Sequence, residues 1–313
     1  MGTGKTKSGC GSTIVLCLAA FALVLGTGTY VALTADAPAV KAAPASKSAR
    51  DDSAAEKLGW RLGLQAYTLR SMSFFEAVDK AAALGLKYIE MYPGQRMSKE
   101  NPTVLMNDSM SAELQEQVRK KLQEAGVKVV CYGVTGIGGK EQDARKVFDF
   151  AKKMGIETIV TETPPSDLLD KLCEEYGINI ALHNHPATWR PDAVLAACKG
   201  HTKRAGACAD TGHWMRAGIE PGETLKKLEG RIISLHFKDL NEFGNPKARD
   251  VPWGTGKGDP KAWLTELHRQ GFKGVFSIEY ESGSGQELLD NIAKCVEFFD
   301  KTAAELGAEK KDK

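Results

Sequence analysis

One unit recurs along the chain. A stretch of helical periodicity ends in glycine, and a run rich in β-branched and aromatic residues follows within a residue or two. The copies read ALGLKYIEMY, EAGVKVVCYG, KMGIETIVTE, EYGINIALHN, LEGRIISLHF and RQGFKGVFSIEY, with glycines at Gly85, Gly126, Gly155, Gly177, Gly230 and Gly271. Glycine just past a helix enters the left-handed region without a Cβ clash, so the chain can turn back into a strand. Two further strands, Leu62–Tyr67 and Ala205–Asp210, keep the rhythm. Helical stretches lie between, such as Phe74–Leu84, Ala112–Ala125 and Gln142–Met154. Eight short strands alternating with helices predict a parallel sheet. Eight such units in about 240 residues predict a closed (β/α)8 TIM barrel. A doubly wound sheet fits less well, because no G-x-G-x-x-G follows the first strand.

The barrel is expected over residues 58–302. Ahead of it, Lys5 and Lys7 precede an apolar run from Ile14 to Leu25, mildly apolar residues continue to Leu33, and Ala35-Asp36-Ala37 offers a cleavage site. Residues 1–37 therefore read as an export signal, or as an N-terminal anchor if uncleaved. The protein is expected to be exported, periplasmic or extracellular, with any membrane attachment confined to that segment. Leu16 stands before Cys17 where a lipoprotein signal needs a small residue, so lipidation is not expected. Residues 38–57 are rich in Ala, Ser, Lys, Asp and Pro and read as a disordered linker that packs on nothing. Residues 303–313 read as a charged tail. The 42 basic residues nearly balance 40 acidic ones, which leaves no basic field for nucleic acid. Seven cysteines form no C-x-x-C pair, so neither a zinc ribbon nor a thioredoxin-like site is supported. Cys131 and Cys208, in apolar runs, are expected to be buried free thiols.

Strand parity locates the chemistry. Successive strand side chains point to opposite faces. His183 and His185 share a face opposite Leu182, and His236 and Lys238 share one opposite Leu235 and Phe237. Glu279 and Glu281 lie opposite Ile278 and Tyr280, and Tyr88, Glu90 and Tyr92 alternate with Ile89 and Met91. Glu162 and Asp210 end their own strands. Each set sits at the C-terminal end of its strand, where barrel enzymes build their sites. A lone strand-end acid can simply cap the next helix, as Asp210 before Thr211-Gly212 would. Glu90, Glu162, His183, Asp210, His236 and Glu279 together are a different matter. So many titratable groups in one apolar mouth are costly unless a cation or substrate pairs with them. Mixed imidazole and carboxylate donors suit one divalent Mn, Co, Zn or Fe ion better than Ca.

The chain resembles the sugar phosphate isomerase/epimerase family of xylose isomerase-like TIM barrels from about Leu62 to Phe299. The resemblance rests on YIEMY, ALHNHP, ADTGH, LHFKD, WGTGKG and SIEYE in that order. It implies one divalent ion held by His183, Asp210, His236 and Glu279. It implies a substrate contact from His213 and matches Lys238 to the Lys of an H-x-K-D motif. One departure stands out, because ketose 3-epimerases of the family carry Glu where this chain has His183. The H-N-H and D-T-G-H motifs look more like the inosose dehydratase-like branch. Glu162 is then a candidate for the missing carboxylate, as ligand or as base.

The resemblance implies a small carbohydrate substrate and chemistry through an enediolate. A carboxylate such as Glu279 removes a proton next to a carbonyl. Reprotonation gives an epimer or an isomer. Loss of a β-hydroxyl or β-alkoxide, protonated by His185, His213 or Lys238, makes the enzyme instead a dehydratase or lyase acting on a keto-polyol or a 3-keto-glycoside. Lys238 is expected to reach a substrate oxygen, and Glu90 to contact the substrate. A non-catalytic sugar-binding barrel is a further alternative. Trp189, Trp214 and Trp253 are candidates for a sugar-stacking floor or for core packing. The Gly254–Gly258 loop is a structural loop or a phosphate cradle.

Overall fold

The computed structural model describes residues 50–308. The expected export signal or anchor and residues 38–49 of the expected linker lie outside the described residues, as do residues 309–313. The six repeat glycines all take up left-handed backbone, with φ between 65 and 77°. Three of them, Gly126, Gly155 and Gly177, close helices directly.

Eight parallel strands close into a barrel. In chain order they are β1 (Trp60–Gln65), β2 (Tyr88–Met91), β3 (Lys128–Thr135), β4 (Thr158–Thr161), β5 (Asn179–His183), β6 (Ala205–Asp210) and β7 (Ile232–Phe237), completed by a strand at Gly274–Ile278. Between β7 and that last strand, β8 (Asp239–Leu240) and β9 (Asp250–Val251) pair antiparallel as a small ribbon, so the last strand is β10. Neighbours in sequence are neighbours in the barrel, and β1 closes on β10. The helices are α1 (Ser53–Leu58), α2 (Phe74–Ala83), α3 (Ala112–Ala125), α4 (Glu141–Met154) and α5 (Asp167–Tyr176). They continue with α6 (Pro191–Ala197), α7 (Thr211–Arg216), α8 (Pro221–Lys227), α9 (Pro260–Arg269) and α10 (Gly285–Ala308). None is long and apolar enough to cross a membrane among the described residues.

Two apolar clusters follow from strand parity. Outward residues such as Ile180, Leu182, Leu235, Phe237, Phe276 and Ile278 join the large core shared with the helices. The alternate residues Val160, Ala181, Cys208 and Val275 form a separate small cluster that plugs the barrel below the site. The cysteines at 131, 173, 198, 208 and 295 are free and buried.

Two boundaries differ from expectation. Residues 50–57 are not a free linker. From Ser53 on they enter α1, which lies against α10, and Ala55 is buried. Arg50 makes a two-pronged pair with Asp300, both N···O distances 2.7 Å, and Lys87 reaches Asp52 at 2.8 Å and Glu56 at 3.0 Å. A six-residue helix with one buried alanine leaves no apolar period to read, and its partners are far off in sequence. The tail also begins later than residue 303. Ala303 and Leu306 extend the buried stripe of Val296 and Phe299 along α10.

Candidate metal centre and substrate cavity

Four side chains meet at the C-terminal ends of the strands. His183 ends β5, Asp210 ends β6, His236 lies in β7, and Glu279 follows β10. Register brings Asp210 opposite His236. One donor atom from each of the four lies within 4.8 Å of the others, and all four residues are buried. That is close to the ~4.6 Å between donors on opposite sides of one ion at about 2.3 Å each.

The donor atoms suit a cation. His236 donates from Nε2 to Glu90 Oε1 at 2.9 Å, so its Nδ1, 3.1 Å from Glu279 Oε2 and 3.9 Å from Asp210 Oδ2, is the atom whose lone pair would be offered to an ion once its proton leaves. A carboxylate behind a ligating imidazole is the usual way to fix its tautomer. Asp210 Oδ1 accepts from the His213 backbone N–H at 2.7 Å and so caps α7, while Oδ2 points into the cluster, 3.4 Å from His183 Nε2. Helix capping and convergence are thus shared between the two oxygens of one carboxylate. His183 Nδ1 and Nε2, Asp210 Oδ2 and His236 Nδ1 are buried and lack a well-formed hydrogen bond. Buried polar atoms left this way are expensive, and a divalent ion would satisfy them.

Charge points the same way. The carboxylates of Glu90, Asp210, Asp250, Glu279 and Glu281 crowd around two permanent cations, Lys238 and Arg216. Burial holds His183 below its ordinary value and takes His213 down to about 4, so both imidazoles are neutral near pH 7. Burial alone would depress His236 too, but Cys208 and the Glu90 and Glu279 carboxylates hold it well above the usual range. Burial disfavours the charged form of Glu279, yet Lys238 and His236 keep it ionised, well below the usual carboxylate range. With His183 and His213 neutral and His236 protonated, five carboxylates face three cations, so negative charge is still in excess here, and a divalent ion would offset it.

Three residues take places other than those expected. Glu90 does not face a substrate. It is fully buried beneath His236, with Oε2 accepting from Ser277 at 2.6 Å. Lys238 does not present its ammonium to the cavity. It is 1% exposed and pairs with Glu279 at 2.7 Å, Glu281 at 3.0 Å and Asp210 at 3.1 Å. Gly212 leaves room for this, since a Cβ there would lie 2.6 Å from the Lys238 stem. Glu162 stands outside the four-donor set. It is half-exposed, bonded to His185 Nδ1 at 2.6 Å and Thr188 Oγ1 at 3.2 Å. His185 and His213 both line the cavity above the donors, and their rings are 5.0 Å apart.

The cavity measures about 320 Å³. His183 and Glu279 form part of its lining. None of the three tryptophans lines it. Trp214 and Trp253 are buried in the core, and Trp189 donates to the Glu162 carbonyl at 3.1 Å. Asn184 was not singled out by the sequence. Its side chain accepts from the Asp210 N–H at 2.9 Å and donates to the Asp210 carbonyl at 3.0 Å, tying β5 to β6 beneath the donors. Its place between two inward histidines was the available signal.

The glycine loop is structural. Asp239 accepts from the backbone N–H groups of Leu240, Gly254, Gly256 and Gly258 at 2.9–3.0 Å, so those donors are not free for phosphate. Asp239→Ala is expected to lower stability by about 3 kcal/mol, because one buried and three part-buried N–H groups lose their acceptor. Urea denaturation of the two proteins measures this, and a loss under 1 kcal/mol would contradict it.

Imidazoles and carboxylates converging at the mouth of a parallel barrel form a candidate metal centre at the end of the fold where barrel enzymes build their sites. The family model for the xylose isomerase-like TIM barrel matches residues 78–302, and the chain belongs to that family. A protein of uncharacterised function from Parabacteroides distasonis ATCC 8503 is 33% identical, with a TM-score of 0.63 over 78% of this chain and 99% of that one. D-allulose 3-epimerase from Methylomonas sp. shares the fold at 15% identity, TM-score 0.58, over 78% of this chain and 98% of that one. The IOLI protein, solved with a zinc atom, does so at 18% identity, TM-score 0.55, over 79% and 98%. No curated protein matches the sequence.

Proposed function

We propose that the protein is a divalent-metal-dependent enzyme that labilises a C–H bond beside the carbonyl of a sugar or keto sugar, leading to isomerisation or epimerisation. The observation that carries this reading is the set of four buried donors converging at a cavity wall. His183, Asp210, His236 and Glu279 would hold the ion, which when bound supplies Lewis acidity toward a substrate oxygen. The chain's own groups do the rest. Glu90 fixes the His236 tautomer, and Asn184 and the start of α7 fix Asp210. Glu279 stays ionised at the cavity wall, and neutral His213 beside it accepts or returns a proton. The basic and apolar N-terminal sequence, read as an export signal, supports an extracytoplasmic carbohydrate.

Elimination is the second reading. It is favoured by His185, which Glu162 holds above the donor set, where it could protonate a leaving group. Incubating the metal-loaded protein in deuterated water with a panel of keto sugars tests both readings. Deuterium should enter the carbon next to the carbonyl, with an epimer, isomer or eliminated product telling them apart. No exchange across the panel would refute both.

The metal centre has its own check. His236→Ala should lower affinity for Zn or Mn by 100-fold or more, since it removes a ligand and strands the buried Glu90 carboxylate. Equilibrium dialysis with elemental analysis reads this. Parent-like affinity in the variant would remove the centre as drawn.

A further inference from the structure

The cavity wall is divided by the circular order of the strands. On the arc of β1 to β3 it is built from Tyr67, Tyr92, Pro93, Gly133 and Val134 with Gln65, whose buried amide is already engaged, donating to the Gly133 carbonyl at 3.2 Å and accepting from the Tyr67 N–H at 3.0 Å. On the arc from β5 round to β10 it is built from histidines and from Glu279 and Glu281. The two arcs face each other across the barrel. The aromatic arc is itself organised. The Tyr67 and Tyr92 rings meet edge to face at 5.2 Å and 82°, and the Arg70 guanidinium lies 4.9 Å from the Tyr67 ring centre. Tyr67 stays 38% exposed, although large apolar side chains elsewhere are mostly covered. The volume of about 320 Å³ is roughly twice the ~150 Å³ that accommodates one benzene ring.

We infer that the substrate is a glycoside, with the reacting sugar over the polar arc and a second ring, aryl or sugar, against Tyr67 and Tyr92. Placing the reacting sugar over the donor set rests on the function proposed above. The position of the second ring rests on the wall itself. One sugar ring presents hydroxyls all round its edge and would leave the aromatic arc facing water. A ring attached through a glycosidic oxygen covers it with an apolar face, which is what aromatic side chains recognise. A glycoside also has its anomeric carbon locked as an acetal. The carbonyl that acidifies the C–H bond must then lie elsewhere on the ring, which rules out simple aldose–ketose exchange for this substrate.

Calorimetric titration of the full protein with methyl and phenyl glycosides, both anomers of glucose and galactose, tests the inference. At least one phenyl glycoside should bind tenfold or more tighter than its methyl counterpart. Tyr67→Ala and Tyr92→Ala should each bring that ratio below about threefold. Tyr67 is exposed enough that its truncation leaves the fold intact, so the test stands even if Tyr92→Ala fails to fold. Equal binding of methyl and phenyl compounds, a preference that survives Tyr67→Ala, or no binding of any glycoside would overturn it. The two proposals separate cleanly. Deuterium exchange on free keto sugars without a phenyl preference defeats this inference alone, and a phenyl preference without exchange defeats the proposed chemistry alone.

Discussion

Lys238→Met is expected to weaken the metal-free protein and to tighten its hold on a divalent ion. In the structure the ammonium is buried and lies within 3.1 Å of oxygens from Asp210, Glu279 and Glu281. Two of those residues belong to the four-donor set. The lysine therefore neutralises the same carboxylates that an ion would use. Without metal, methionine leaves them uncompensated inside the barrel, at a cost of about 3–5 kcal/mol. For a chain of this size that is on the order of 10 °C in melting temperature. With metal, the sign reverses, because a unit positive charge beside the ion is gone. At an effective dielectric constant of about 20 that repulsion amounts to several kcal/mol, so affinity should rise at least tenfold. Thermal melts with and without chelator, together with a metal titration, read both effects. A variant that melts like the parent without metal, or binds metal more weakly, would show that Lys238 does not share the carboxylates with the ion.

Glu279→Gln should nearly abolish proton exchange from the substrate carbon. Glutamine keeps the size but cannot take up a proton near neutral pH, and it is a poorer ligand. It also removes the negative charge that His236 and Lys238 approach at 3.1 and 2.7 Å. Exchange measured at saturating metal should fall by about 10²–10⁴-fold, the usual contribution of a positioned base. Saturation separates this loss from weaker metal binding. Exchange within threefold of the parent at full occupancy would mean that another group, His213 or His185, moves the proton.

Much of the architecture was legible because two periodicities are local. A glycine after each helix and alternation within each strand are written into a few consecutive residues, and closure follows from eight equal units. Alternation and strand-end position put Glu90, Glu162, His183, Asp210, His236 and Glu279 at one mouth, and the family resemblance narrowed these to His183, Asp210, His236 and Glu279. Alternation says nothing of depth. How far along the axis a side chain sits depends on the stagger of a closed barrel, fixed by every strand at once. That stagger sets Glu90 beneath His236 rather than at the mouth, where it orients an imidazole instead of meeting a substrate.

The same limit explains Lys238. Its inward direction was readable in LHFKD, but its ammonium folds back onto carboxylates from β6 and from the end of β10, partners more than 25 residues away in either direction. Asp239 and the glycine loop met through a turn whose backbone donors leave no mark on composition. Helix α1 was hidden because a single alanine and a few surface ion pairs carry no period. The sequence by itself determined the barrel and the residues that point into it. Tertiary structure decided which of them share a charge, which stand behind others, and which remain open to a substrate, since pairing across the barrel axis depends on distances that no stretch of neighbouring residues contains.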